Sequence, residues 1–122
     1  MTVAAPGRLV SGSAVLTSAP DPIDLFAAAA LSGLEPTLWL QPVHDLAMVG
    51  IGRAWSTRAD GPDRFAAVAG AWEGRLAGAR IHNDFSGRRC SGPLLIGGLG
   101  FTGEVPQDAV LSPFDAASMV LP

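Results

Sequence analysis

Side chains capable of acid, base, nucleophilic or metal chemistry are few in this sequence, and most of them lie between residues 79 and 92. That segment carries Arg80, His82, Asp84, Arg88, Arg89 and Cys90, with Ser86 and Ser91 among them. Serine, histidine and aspartate are the residue types of a hydrolytic triad. Neither serine sits in the glycine pattern of a nucleophile elbow, however. The match is therefore one of composition only, and we reject a triad.

Metal and anion sites can be assessed from the same residues. His44, His82 and Cys90 show no ligand spacing such as C-x2-C or H-x3-H, and structural zinc normally needs four ligands. We therefore interpret them as ordinary surface or loop residues. Arg88 and Arg89 could clamp a phosphate or carboxylate, although a solvated pair in a loop is the favoured interpretation. No two carboxylates are placed on one helix face for acid–base work.

The run from Val49 to Trp55 contains the first half of a dinucleotide-binding fingerprint, Gly50-Ile51-Gly52. The third glycine of that motif is replaced by Trp55, which is too bulky for the close helix–strand contact that the motif needs. No helix follows directly either. The pattern therefore argues against nucleotide binding.

Composition excludes further chemistry. All eight basic residues are arginine, and the chain has no lysine and no tyrosine. A Schiff base, a lysine general base or a tyrosine proton donor therefore has no source in this chain. The net charge of −3 and the scattered basic residues argue against nucleic-acid binding. The single Cys90 allows no internal disulfide and suits a reducing cytoplasm.

The length of 122 residues fits one domain, and we expect a single segment, 1–122, with a loose leader at 1–7. The chain is 48% apolar and 16% charged, with a mean hydropathy of +0.33. That is high for a small domain, whose surface must be largely polar. Since no apolar run reaches about 18 residues, a membrane span does not explain it. We expect a large face to be covered by something else, or the chain to be part of a larger body.

Turn residues and apolar periodicity predict the order β-α-β-β-α-β-β, an α+β class with a mixed sheet and two helices. Asp21 and Pro22 begin the first helix, Gly33 ends it, and Asp60 or Asp63 begins the second. A polar turn is expected at 56–62, and loops at 79–92 and 102–113. The predicted strands are residues 9–16, 37–42, 46–55, 92–101 and 114–121.

Helical spacing predicts which faces are buried. On the first helix the predicted apolar face consists of Ile23, Phe26, Ala27, Ala30, Leu31 and Leu34. On the second it consists of Phe65, Val68, Ala69, Trp72 and Leu76, beside a strip of small residues at Ala67, Ala71, Gly74 and Gly78. Glycines 70 and 74 each cost about 1 kcal/mol in a helix interior, so we expect this helix to be packed on two sides. Trp39, Trp55 and Trp72 are predicted core residues that pin the 37–55 hairpin to it.

The strand predicted at 92–101 is the most distinctive stretch, because it combines an apolar run with glycines at 97, 98 and 100. Such a run is typical of a strand buried on both faces. Its glycines indicate either a tight crossing in the sheet or a backbone that lines a ligand pocket. The tight crossing is the favoured interpretation.

Several short motifs follow one another in a fixed order: Leu38-Trp39-Leu40-Gln41-Pro42, Gly50-Ile51-Gly52, Asp63-Arg64-Phe65, Trp72, Gly92-Pro93-x3-Gly97-Gly98-x-Gly100-Phe101 and Phe114-x4-Met119-Val120-Leu121-Pro122. This order resembles the amino-terminal part of chorismate-utilising enzymes, most closely the isochorismate synthases. The similarity covers about residues 30–122, and the Gly97-Gly98-x-x-Phe101 strand is similar to the isochorismate branch in particular. Salicylate synthases and other chorismate enzymes remain alternatives.

The resemblance implies a fold of two stacked sheets ringed by helices. It also implies a magnesium-assisted attack of water on chorismate, with a lysine as base and glutamates as acid and metal ligands. In the family those residues belong to the later part of the sequence, so no catalytic, cofactor-binding or metal-binding residue is assigned to this chain. The expectation is an amino-terminal fragment that is inactive alone, aggregated or molten when isolated, and completed by the missing carboxy-terminal part. A stand-alone module that binds a small molecule or a protein is the alternative from another class.

Overall fold

The computed structural model describes residues 7–104, 107, 110–111 and 114–122. Over these residues the chain forms seven strands and two α-helices with mixed pairing, which confirms the α+β class. Most of the predicted leader at 1–7, and six residues of the predicted loop at 102–113, lie outside the described residues. The strands are β1 Val10–Gly12, β2 Pro36–Gln41, β3 Leu46–Ile51, β4 Trp55–Ala59, β5 Arg80–His82, β6 Ile96–Leu99 and β7 Ala117–Leu121, and the helices are α1 Pro22–Leu31 and α2 Arg64–Ala77.

Strands β1 and β5 form a parallel pair that the sequence did not predict. Val10 lies opposite Arg80 and Gly12 opposite His82, and the Arg80 N–H donates to the Leu9 carbonyl at 2.8 Å. The first strand is therefore shorter than the predicted 9–16, and the predicted irregular segment 79–92 begins with a strand. A parallel partner far away in sequence gives no local pattern, so only the folded chain reveals this pair.

Helix α1 begins as the sequence predicts. The Asp21 carboxylate accepts hydrogen bonds from the backbone N–H groups of Ile23 at 2.9 Å and Asp24 at 3.1 Å, and Pro22 occupies the first turn. These contacts satisfy N–H groups that have no partner inside the helix. At the other end Gly33 has φ +72°, a left-handed conformation that glycine adopts at little cost.

The face of α1 that packs inward differs from the predicted one. Ala29 is buried, while Leu25 and Phe26 are half-buried. By contrast, Ile23 is 58% exposed and Leu31 is 91% exposed. This helix is apolar nearly all round, so spacing alone does not single out one face. The prediction was therefore wrong at Ile23, Ala27, Ala30, Leu31 and Leu34, all of which are exposed.

The hairpin of β2 and β3 confirms the predicted pairing, with Pro36 opposite Ile51 and Gln41 opposite Leu46. The predicted strand 46–55 does not continue, because Gly52 adopts φ +85° and its N–H bonds to the Glu35 carbonyl. A left-handed residue cannot continue an extended ladder. The chain therefore starts a new strand, β4, within the segment predicted as a polar turn at 56–62.

Strand β4 joins a three-stranded antiparallel sheet with the order β4-β7-β6. Helix α2 packs on this sheet, and Trp55 of β4 stacks on Trp72 with ring centroids 6.1 Å apart and an interplanar angle of 27°. Such an aromatic pair contributes about 0.5–1.5 kcal/mol beyond its buried area. The predicted contact of Trp55 with Trp72 is therefore confirmed, but it joins α2 to β4; the β2–β3 hairpin packs on α1, so the predicted pinning of the hairpin to α2 was wrong. The prediction of Trp39 as a core residue was also wrong, since it is 43% exposed.

Helix α2 is packed on one side only by the described residues, contrary to the prediction. Its inward face holds Val68, Trp72 and Leu76 as expected, together with Arg64. The predicted core residues Phe65 and Ala69 are exposed, and the Phe65 ring lies 4.5 Å from the Arg64 guanidinium carbon. Side chains built at Gly70, Gly74 or Gly78 would meet no atom within 4 Å. The strip of small residues is therefore open.

The apolar core is small for a chain of this size. Among the described residues the buried apolar side chains are Leu9, Ala29, Val68, Ala116, Ala117 and Leu121, and seventeen large apolar side chains are exposed. The accessible surface is 8817 Å², whereas a folded monomer of 12.5 kDa has about 6,200 Å². Neither helix in the described part of the chain has the length and apolarity needed to cross a membrane.

Strand β6 covers only Ile96–Leu99 and lies at the edge of its sheet, so the prediction of a strand at 92–101 buried on both faces was wrong. Gly97, Gly98 and Leu99 are exposed. The favoured explanation of a tight crossing is correct at Gly97. A Cβ there would overlap the Ser118 carbonyl oxygen and lie 2.8 Å from Met119 Cα. At Gly98 a Cβ would meet nothing.

We expect Gly97→Ala to weaken the pairing of β6 and β7 by about 2 kcal/mol, because the obstacle is backbone that has no rotamer to change. Gly98→Ala is the matched control, with a change of no more than about 0.5 kcal/mol. Hydrogen–deuterium exchange of the β6 and β7 amides measures both, and a 2 kcal/mol loss corresponds to exchange about 30-fold faster. Equal exchange in the two variants would contradict the steric role of Gly97.

Candidate functional site

The end of the glycine strand is held by the guanidinium of Arg64, which lies at the first turn of α2. Nη2 donates to the carbonyls of Gly100 at 2.6 Å and Phe101 at 3.0 Å, and Nε donates to Gly100 at 3.2 Å. Nη1 donates to the Gly61 carbonyl at 3.3 Å. One side chain thus fixes the turn before α2 and the residues that follow β6.

Arg64 is 6% exposed, which is unusual for an arginine. A buried arginine usually forms an ion pair with a carboxylate, but no salt bridge to Arg64 occurs within the described residues. Carbonyl dipoles, together with the face of the Phe65 ring 4.5 Å from the guanidinium carbon, therefore compensate for its lost hydration. Charge-assisted bonds of this kind contribute about 1.5–3 kcal/mol each.

A close backbone contact reinforces this junction. The Gly61 N–H donates to the Gly103 carbonyl at 2.5 Å, and a Cβ on Gly103 would lie 2.5 Å from the Gly61 carbonyl carbon. Gly61 also has φ +78°. Glycine is therefore required at both positions. Together with Arg64 they form what we call the α2–β6 junction, defined by Gly61, Arg64, Gly100, Phe101 and Gly103.

Two cavities adjoin the glycine stretch at its two ends. The first has a volume of about 400 Å³ and includes Gly92, Leu94 and Ile96 in its lining. The second, of about 430 Å³, includes Gly100 and Phe101. The alternative prediction, that this backbone lines a pocket, therefore holds at the ends of the stretch. Gly97 and Gly98 line neither cavity.

The residues of the rejected triad are not brought together. The Ser91 Oγ lies 2.7 Å from the Phe85 carbonyl and 2.9 Å from the Arg88 carbonyl, and it accepts from Asn83 Nδ2. His82 instead pairs with Asp84 at 3.4 Å on the surface. Ser91 therefore has a structural role in its loop, and this arrangement provides no base for it.

The metal candidates are also kept apart. His44 lies in the short helical turn after β2, His82 ends β5, and Cys90 is exposed in the following loop. Within residues 7–104, 107, 110–111 and 114–122, no three His, Cys, Asp or Glu side chains are grouped so that they could hold a metal ion. The magnesium ion that the resemblance implies thus has no fitting ligand set among these residues, and we assign it none.

The half-fingerprint Gly50-Ile51-Gly52 serves the sheet. A Cβ on Gly50 would collide with Pro122 and with the Thr37 hydroxyl, so the glycine permits a close approach of the chain's last described residue. Strand β4 follows, where a nucleotide-binding loop would lead into a helix. The structure therefore agrees with the sequence in offering no dinucleotide site here.

Arg88 and Arg89 are exposed, and both line a third cavity of about 590 Å³ together with Cys90. Neither arginine has an ion pair with a described residue. The sequence favoured a solvated pair, and the exposure of both side chains agrees with that interpretation. Their position beside a cavity was not visible in the sequence.

In the sequence, Arg64 is recognised only as part of the motif Asp63-Arg64-Phe65, and no role is predicted for its side chain. It lies four residues before Val68 and eight before Trp72, so helical spacing places it on the inward face. An arginine at the start of that face was the available signal. Because charged residues are seldom buried, this position alone does not predict that the Arg64 side chain is buried.

The family model described as chorismate binding enzyme matches residues 4–122. The chain therefore belongs to the family of chorismate binding enzymes. No curated protein and no solved structure shows significant similarity to it.

Replacing Arg64 by methionine removes the guanidinium donors, so the carbonyls of Gly100 and Phe101 lose their bonds to Arg64, whereas the Gly61 carbonyl keeps the backbone N–H of residue 64 as a donor at 3.3 Å. We expect Arg64→Met to destabilise the α2–β6 junction by about 3 kcal/mol, since each buried unsatisfied carbonyl costs about 1–3 kcal/mol. Hydrogen exchange of the Gly100 amide, which bonds to the Ala116 carbonyl, reports the loss locally.

Arg75→Met on the same helix is the matched control. The Arg75 Nε is buried without a hydrogen-bond partner, so this substitution strands no carbonyl through Nε and is expected to cost less than about 1 kcal/mol. Equal losses in the two variants would show that helix packing, and not the hydrogen bonds of Arg64, holds the junction.

Proposed function

We propose that this chain is the amino-terminal part of an isochorismate synthase, which converts chorismate to isochorismate by moving a hydroxyl group on the ring. Membership of the chorismate binding enzyme family supports chorismate as the ligand of the complete protein. The chain supplies a structural half of the enzyme, and the groups that perform the chemistry come from sequence outside it. By itself the chain is inactive.

The excess of exposed surface carries the proposal of an incomplete fold. Among the described residues seventeen large apolar side chains are exposed and only six apolar residues are buried, which is a much smaller core than a compact domain of this length has. Exposed large apolar side chains occur on α1, β2, α2 and the segment after β6. A surface of this extent is stable in water only when another body covers it.

The residue types of this chain support a structural role for it, with the catalytic groups supplied by the other part of the enzyme. A lysine base has no source in a chain without lysine, and the described carboxylates form no cluster with other metal ligands. What the chain does offer is a sheet whose edge strand β6 keeps free hydrogen-bonding groups on its outer side. We propose that this edge pairs with a strand of the carboxy-terminal part.

The choice of branch rests on the stretch Gly97-Gly98-Leu99-Gly100-Phe101. A Gly-Gly-x-x-Phe strand is similar to that of isochorismate synthases, whereas a Gly-Tyr type of strand is found in anthranilate and aminodeoxychorismate synthases. The resemblance favours the isochorismate branch on this ground. A salicylate synthase is the second candidate, because it keeps the family and changes only the branch.

The test of the proposed function is to produce the chain together with the carboxy-terminal segment of an isochorismate synthase and to supply chorismate and magnesium. We expect isochorismate as the product, resolved by liquid chromatography, and at least a 100-fold lower rate with either part alone. Salicylate with pyruvate would move the assignment to salicylate synthase. Anthranilate formed with ammonia would place the chain in another branch and overturn the proposal.

The isolated chain provides a second test through its uncovered apolar surface. We expect it to self-associate in light scattering and to enhance the fluorescence of an apolar dye several-fold, and we expect the carboxy-terminal part to abolish both effects. A monodisperse 122-residue chain that binds chorismate without dye enhancement would instead identify a stand-alone binding module.

A further inference from the structure

Positive charge is concentrated around β1 in a chain that is acidic as a whole. With four arginines and one carboxylate, residues 7–13 and 79–92 together carry a net charge of +3, although the whole chain carries −3. The charged residues of these two segments are Arg8, Arg80, Arg88, Arg89 and Asp84. Because β1 pairs with β5, the fold brings together basic residues that are scattered in the sequence.

Two of the arginines lie on the exposed face of the β1–β5 pair. Along β1 the exposure alternates, because Leu9 is buried and Ser11 half-buried, whereas Arg8 and Val10 are exposed. Alternate side chains of a strand point to the same face, and Arg80 is the register partner of Val10. Arg8 and Arg80 therefore share the exposed face at the start of β1.

The other two arginines lie beside the end of β1. Arg88 and Arg89 line the cavity of about 590 Å³ together with Gly12 and residues 13–15, and both side chains are exposed. From residue 8 to residue 13 the chain spans at most about 18 Å, so one short extended peptide can reach the arginines at both ends. We call the four arginines the β1 basic surface.

The charge of the β1 basic surface is not compensated by the described part of the chain. None of its arginines forms an ion pair with a described carboxylate. Asp84, the one carboxylate of the two segments, lies 3.4 Å from His82 instead. Elsewhere on the surface, Arg53 and Arg58 each pair with a carboxylate. The arginines around β1 are therefore available to carboxylates from outside the chain.

Hydrogen bonds hold the backbone around these arginines in place. Arg8 Nε donates to the Gly78 carbonyl at 2.7 Å. In the loop that carries the arginines at the end of β1, Asn83 Nδ2 donates to the Ser91 Oγ at 3.1 Å, and the Ser91 Oγ lies 2.7 Å from the Phe85 carbonyl oxygen. A surface that is ordered before its partner arrives loses less conformational entropy on binding.

The β1 basic surface differs from the surfaces that another part of the fold would cover. Those surfaces, on α1 and α2 among others, expose large apolar side chains. Burial of an unpaired charge is unfavourable, so four arginines without carboxylate partners belong on the outside of the complete protein. A long nucleic acid is disfavoured there, because the chain has a pI of about 5.1, whereas nucleic-acid-binding domains are strongly basic.

We propose that the β1 basic surface docks an extended acidic segment of a partner protein. The carboxylates of that segment pair with the arginines at both ends of β1, since the planar guanidinium group suits carboxylate recognition. Complementary charge of this kind selects the partner and speeds association. The proposal does not depend on the isochorismate synthase activity proposed above, because it involves no substrate and no catalytic group.

Surface plasmon resonance measures the interaction, with the 122-residue chain tethered sparsely through a carboxy-terminal tag so that self-association does not contribute. The probes are a peptide of alternating glutamate and serine, the same peptide with glutamine in place of glutamate, and a single-stranded thymidine oligonucleotide. We expect the glutamate peptide to bind saturably, about twentyfold more tightly than the glutamine peptide and about fivefold more tightly than the oligonucleotide. Binding is expected to weaken as salt rises, because exposed charges are screened.

Variants locate the peptide on the surface. Arg80→Gln and Arg88→Gln are each expected to weaken binding of the glutamate peptide about threefold, the loss expected for one exposed ion pair, and the double variant about tenfold. Arg53→Gln is the matched control, because it makes the same charge change at an exposed arginine outside the β1 basic surface. Its effect is expected to stay below about 1.5-fold. Unchanged hydrogen exchange of the β1 and β5 amides shows that the variants keep the fold.

Four results would overturn the proposal. Equal binding of the glutamate and glutamine peptides would show that carboxylates are not recognised. Equal effects of Arg53→Gln and Arg88→Gln would indicate a response to net charge only. Tighter binding of the oligonucleotide would assign the surface to nucleic acid. Loss of peptide binding in the chain produced together with the carboxy-terminal part would show that this part covers the surface. None of these results depends on whether chorismate is turned over.

Discussion

The burial of one guanidinium is the constraint on which much of this structure depends. Arg64 spans the turn before α2 and the residues after β6, and its guanidinium donates hydrogen bonds to carbonyls of both segments. Its charge is accommodated only because glycines at 61, 100 and 103 bring backbone close to it. A larger residue at Gly103 would collide with the backbone of Gly61, whereas at Gly61 it is the left-handed φ of +78° that favours glycine. Helix and sheet are therefore joined by main-chain carbonyls as much as by apolar contact.

The high hydropathy of the sequence and the small core of the structure have one explanation in the family to which the chain belongs. Chorismate binding enzymes are the family whose model matches nearly all of the chain, and a mean hydropathy of +0.33 is high for a body that buries only six apolar residues among those described. Leu31 and Phe101 are the clearest cases, since both are large apolar side chains that lie exposed on the described part of the chain.

Local chemistry was predictable from the sequence and distant contacts were not. Asp21, Pro22 and Gly33 fix the ends of α1 through their own backbone preferences, and the β2–β3 hairpin follows from neighbouring segments. The end of β3 before Gly52 and the face of α1 that packs inward both depend on tertiary contacts. Residue spacing in the sequence therefore predicted too long a strand at 46–55 and the wrong buried face of α1. Arg64 lay on a predicted helix face, yet its partners are carbonyls 36 and 37 residues away, which no local pattern reveals.

The parallel pairing of β1 with β5 has a consequence for the order of events during folding. Val10 and Arg80 are partners across 70 residues of chain, and the connection between them contains both helices and three strands. Closing such a loop is entropically unfavourable until the intervening elements are compact. During synthesis, β1 therefore leaves the ribosome long before β5 has been made, and it has no strand partner until then.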